Sequence, residues 1–159
     1  MIGQLIVLLR VKTLKEEQAL REANAKREAA AKAAEAAEEA RKRVCESEAT
    51  LKDREDAIYS DIMGKVVDLG AIDDTKGRVV LLEKEHGKLV DGEERATHVK
   101  ARVDAELESA TQLHRKSVRD RDKYILLTDE ATKEIQDTAL YKEENEIEEL
   151  FSTRRRGPS

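Results

Sequence analysis

The sequence has no Trp, one Phe, three Tyr and one Pro among 159 residues. Aromatic side chains carry much of the buried area of a compact core, so their scarcity argues against a globular domain. The single proline, Pro158, leaves the chain free to run in long helices. The single cysteine, Cys45, excludes an internal disulfide framework and points to a reducing compartment. No apolar run reaches the roughly 20 residues of a membrane span, and Leu5–Leu9 is far too short. That run also lacks a preceding basic region and a following small-residue cleavage site, so the start does not read as a signal peptide. The expectation is a cytosolic protein with no membrane insertion.

What is present is charge and helix formers. Asp, Glu, Lys and Arg make up 41% of the chain, and the net charge is −5. Acids and bases alternate, which argues against nucleic acid as a partner. The stretch AKREAAAKAAEAAEEARKRV (25–44) consists of the strongest helix formers, yet it offers little more than Ala to bury.

Gly3 is the last glycine before Gly64, and GKVVDLGAIDDTKG then carries three. Asp73 or Asp74 suits an N-cap there. The pattern predicts an all-α fold: a long antiparallel two-helix coiled-coil hairpin, one domain over 1–159. Helix one is expected over about 4–63, the turn over 64–73, helix two over 74–151, and a flexible basic tail over 152–159. Gly87 and Gly92 predict a local bend.

Heptads mark the seam. Ala23, Ala30, Ala37, Val44, Leu51 and Ile58 recur in helix one, and Leu82, Leu89, Ala96, Val103, Ala110, Ser117, Tyr124 and Ala131 in helix two. The expected pairing sets Ile58 against Leu82, Leu51 against Leu89, and Ala37 against Val103. It also brings Leu5, Leu8, Leu9, Val11 and Leu14 beside Ile125, Leu126, Leu127 and Ile135. A polar companion row would set Arg54 against His86 and Lys26 against His114. The seam is therefore narrow.

Such a hairpin offers no pocket for catalysis, and the chain reads as a non-enzyme. His86, His98 and His114 lack partners at metal-ligand spacing and read as polar positions on or beside the seam. Neither a cofactor nor a metal is expected. Two surfaces remain. Val66, Val67, Leu69 and Ile72 either cap the hairpin's own seam or face a partner. At the other end Arg10, Lys12 and Lys15 form a basic strip, and Glu143, Glu144, Glu146, Glu148 and Glu149 an acidic one. These strips either pair with each other or form a two-signed tip.

The first and last stretches carry a family likeness. LLRVKTLKEEQ at the start and DKYILLTDEATKEIQDTALYKEENEIEELF near the end resemble the YscO-type proteins of type III secretion systems. The related flagellar protein FliJ shares that layout. The resemblance implies an antiparallel two-helix stalk, similar to part of the γ subunit of F-type ATPases. It implies that one end engages the hexameric secretion ATPase, the other the cytoplasmic domain of the export gate, with export chaperones as further partners of some members. Carried onto this chain, the ATPase-facing residues are Leu8, Leu9, Arg10, Val11, Lys12, Leu14, Tyr124, Ile125, Leu127 and the five acids. The gate-facing residues are Val66, Val67, Leu69 and Ile72. The implied location is cytoplasmic, at the base of the apparatus. The competing reading is a coiled-coil spacer or dimerisation module with no ATPase partner.

Overall fold

The computed structural model describes residues 1–155, which form two helices, α1 (Ile2–Ser60) and α2 (Leu69–Arg155). The fold is the expected all-α helical hairpin. It divides into two compact units: Asn24–Ser109, which contains the turn, and Met1–Ala23 with the chain from Ala110 on.

In the turn unit the helices run antiparallel, as three pairs show, two between the helices and one from the link to α2. Arg78 meets Asp61 at 3.0 Å, His86 Nδ1 meets Ser47 Oγ at 2.8 Å, and Lys26 donates to Glu106 at 2.8 Å. Buried side chains are Ala30, Ala33, Val44 and Ser47 on α1, with Thr75, Val79 and Leu82 on α2. These fall on the two heptad rows read from the sequence. Lys100, two heptads beyond His86 in that companion row, stays in solvent.

The terminal unit is also antiparallel. Glu16, on α1, binds His114 and Arg121 of α2, and Ala19 and Ala23 are buried beside it. Alanine lets the two backbones approach closely but buries little area per residue, so the packing that holds each unit is thin.

The boundaries differ from those expected. α1 closes at Ser60 rather than 63, and α2 opens at Leu69 rather than 74. The Ser60 hydroxyl bonds back to the Ala57 carbonyl at 2.8 Å, and Gly64 takes φ +73, a left-handed conformation that suits glycine. The N-cap is Asp68, not Asp73 or Asp74: its Oδ1 accepts from the Ala71 amide at 2.9 Å. At the other end α2 takes in residues 152–155, which were expected to be tail. The remaining tail residues, 156–159, lie outside those described. α2 is unbroken through Gly87 and Gly92.

The register is also corrected. The Ser47–His86 bond, counted in heptads, puts Leu51 level with Leu82, Val44 with Leu89, and Ala37 with Ala96. The pairing is one heptad away from the expected one. The cause is the polar layers. The expected register would oppose Arg54 to His86 and Lys26 to His114, whereas the observed one gives Lys26 the Glu106 carboxylate and His86 the Ser47 hydroxyl.

Candidate interaction surfaces

The turn surface grows from the short link between the helices. The Arg78–Asp61 pair ties the link to α2, and Asp68 starts that helix. Val66 is fully exposed and Leu69 is 80% exposed, so both face outward. Val67 and Ile72 are half-buried. One pair thus points outward and the other is partly inward. Met63, 73% exposed, adds to the outward surface. It was missed because it was assigned to helix one; placing the start of the link at 61 would have found it.

In the terminal unit α1 is apolar on nearly all sides over residues 2–14. A single partner helix covers one face. Leu5, Leu9 and Lys12 are half-buried, while Ile6, Val7, Leu8, Arg10, Val11 and Leu14 are exposed. The Lys12 ammonium lies 5.6 Å from the centre of the Tyr124 ring, a cation–π contact that joins two of the proposed residues. Tyr124 is half-buried, and Ile125 and Leu127 are exposed beside it.

Beneath this surface lies a cluster that sequence reading did not assemble. Glu16 is buried; its Oε1 is 2.9 Å from His114 Nε2, and its Oε2 is 3.3 Å from Arg121 Nη1. The signal was available, since Glu16 falls one heptad before Ala23 in the seam row.

Beyond Ala131, α2 has no α1 residue opposite it. Every residue from 132 to 155 is exposed except Asn145, which is half-buried. The five acids stand on this overhang. Ala131 to Glu143 is about 18 Å of helix, so the acids are not level with Arg10, Lys12 and Lys15. The two strips are separate surfaces, and the expectation that they lie together is corrected. The overhang also bears Leu140, Ile147, Leu150 and Phe151, all more than half exposed. At helical spacing these form an apolar stripe along one side. Sequence reading passed over it because the acids dominate the same stretch.

The histidines fall as two and one. His86 and His114 bond across the seam, and His98 is exposed. Among the described residues no group of three or more His, Cys, Asp or Glu could hold a metal ion, and no helix is long and apolar enough to cross a membrane.

An all-α hairpin of two long packed helices belongs to the class of coiled-coil proteins. The chain matches the family described as type III secretion protein YscO over residues 5–153, nearly its whole length, and it belongs to that family. No curated protein and no solved structure gives a significant match. The family ties the chain to the type III secretion apparatus, in which its partners are to be sought.

Proposed function

We propose that this protein is a non-catalytic stalk that joins the hexameric secretion ATPase to the export gate. It works in the cytoplasm at the base of the apparatus. The terminal unit faces the ATPase through Leu8, Val11, Leu14, Ile125, Leu127 and the acidic overhang. The link faces the cytoplasmic domain of the gate through Val66 and Leu69. Export chaperones are further partners that dock on the same protein.

The observation that carries this reading is the apolar exposure at two places where the helix pair leaves its own side chains uncovered. The link projects Met63, Val66 and Leu69. The terminal unit leaves most of the first four turns of α1 and the stripe on α2 without cover. Apolar surface of this kind, rimmed by charge, marks an interaction site.

Two variants test the reading by pull-down against the ATPase and the gate domain separately, with helicity checked by circular dichroism. Val66→Ser, Val67→Ser and Leu69→Ser together keep ATPase binding and lose gate binding and secretion. Reversal of Glu143, Glu144, Glu146, Glu148 and Glu149 to Lys keeps gate binding and weakens ATPase binding, with less salt dependence in what remains. If both folded variants hold both partners as well as the native chain does, the protein is a spacer and the stalk reading fails.

A further inference from the structure

The turn unit contains two sets of turn signals, and only one is in use. Gly64 supplies the left-handed residue and Asp68 the N-cap of α2. A few residues on, Gly70 and Asp73 repeat the same pair of residue types, a glycine followed closely by an Asp. The seam is degenerate in the same way. In the observed register Leu51, Val44 and Ala37 lie level with Leu82, Leu89 and Ala96. Moved by one heptad, they meet Leu89, Ala96 and Val103, which are again all apolar. A heptad shift moves the centre of the link by half a heptad, from 61–68 to about 64–72. That places Gly70 inside the link and Asp73 at its edge.

We infer that the α1–α2 pair has two registers one heptad apart, with the Gly64–Asp68 turn used in one and the Gly70–Asp73 turn in the other; because both helices are unbroken, the slide also draws Glu16 away from His114. The ends of the link already lean both ways. The Met63 and Ile62 amides both donate to the Tyr59 carbonyl at 3.1 Å, so helix-like bonding runs on past the last residue of α1. At the other side the Ile72 amide reaches the Asp68 carbonyl at 3.3 Å, in the turn that α2 would give up. The polar layer that favours the observed register is incompletely satisfied. Arg54 Nη2 donates to the Ser47 hydroxyl at 2.9 Å, but Arg54 Nε is buried with no hydrogen-bond partner. After a one-heptad shift Ser47 would face Glu93, which can accept from its hydroxyl, but Arg54 would face His86 and Lys26 would lose Glu106, so this register is the minor one; the helices would have slid by about 10 Å. The link would then present Val66, Val67 and Leu69 from a different backbone. A partner that recognises one form of the link shifts the population towards the register that makes it.

One protein reads both registers. Leu51→Cys, Leu82→Cys and Leu89→Cys are combined with Cys45→Ser. The thiol at 51 can then bridge to 82 in the observed register or to 89 in the shifted one, since a disulfide needs Cα atoms within about 7 Å. Positions 82 and 89 are two turns apart on one helix and cannot bridge each other. Oxidation followed by peptide mapping gives the ratio. The expected result is mostly 51–82 with a minor 51–89 product. Asp68→Ala raises the share of 51–89 about fivefold, and Asp73→Ala lowers it by a similar factor, the size of one lost N-cap. Hydrogen exchange on the chain with its native thiol content gives a second readout. Asp68→Ala slows exchange at 61–64 and speeds it at 69–72. Formation of 51–82 alone in all three proteins, or a ratio and an exchange pattern indifferent to both caps, overturns the inference.

Discussion

Glu16 is the one carboxylate buried among the described residues, and it is buried where His114 and Arg121 of the other helix reach it. Removing it leaves His114 and Arg121 facing each other with most of their side chains out of water. Glu16→Ala is therefore expected to cost about 1–3 kcal/mol, and Glu16→Gln less, because an amide still accepts a hydrogen bond. Chemical denaturation checks both. A surface pair shows the opposite limit. The Lys26 ammonium, hydrogen-bonded to Glu106, holds that carboxyl below its ordinary value. A depressed folded value means that the pair stabilises above the ordinary carboxylate range and that this contribution is lost as pH falls through the folded value. The pair is exposed, so the effect is small. Lys26→Met should narrow the difference in melting temperature between neutral and acid solution, without moving the acid value.

The helices themselves were legible because their signals are local and repeated. Heptads of small apolar residues mark α1 between Ala23 and Ile58, and those rows are the ones that pack. The register was not legible, for a physical reason. An Ala-rich seam matches itself equally well one heptad along, so apolar pairing carries little information there. The choice falls to Ser47, His86, Lys26 and Glu106, and polar side chains have several possible partners in a sequence. The turn was misplaced for a related reason: two glycine–aspartate sets compete, and only the structure shows that Asp68 is the cap. A Cβ at Gly87 or Gly92 would meet nothing within 4 Å, and neither residue has a positive φ. Gly87→Ala and Gly92→Ala should each stabilise the protein by about 0.5–1 kcal/mol, by improving helix propensity and restricting the unfolded chain. Gly64→Ala should do the reverse, costing about 1–2 kcal/mol, because its φ of +73 is strained for any residue with a Cβ. Thermal unfolding of the three variants separates these signs.

For the molecule as a whole, the residues that hold the fold and those assigned to partners are mostly different residues. The seam consists of alanines, a few valines and leucines, and two polar layers, Ser47 with His86 and Glu16 with His114 and Arg121. The candidate surfaces add little to it, apart from Leu9, Lys12, Tyr124, Val67 and Ile72, which serve the packing in part. The acids of the terminal surface were recognisable from sequence as a cluster. The apolar stripe among them was not, because its exposure depends on where α1 stops covering α2, and that depends on the register. The separation makes a sharp expectation. A chain ending after Ile135 loses Leu140, Ile147, Leu150, Phe151 and all five acids, yet no residue of the buried seam. Its unfolding midpoint in denaturant should match that of the native chain, because a helix with no packed face adds little to cooperative stability. Its helical signal should fall only in proportion to the residues removed. Capture by the secretion ATPase should fall sharply, while capture by the gate domain through Val66 and Leu69 stays unchanged. A truncated chain that unfolds early would show that the overhang supports the fold. One that is stable and still binds the ATPase at native strength would confine ATPase contact to the first four turns of α1 and the Tyr124–Leu127 segment.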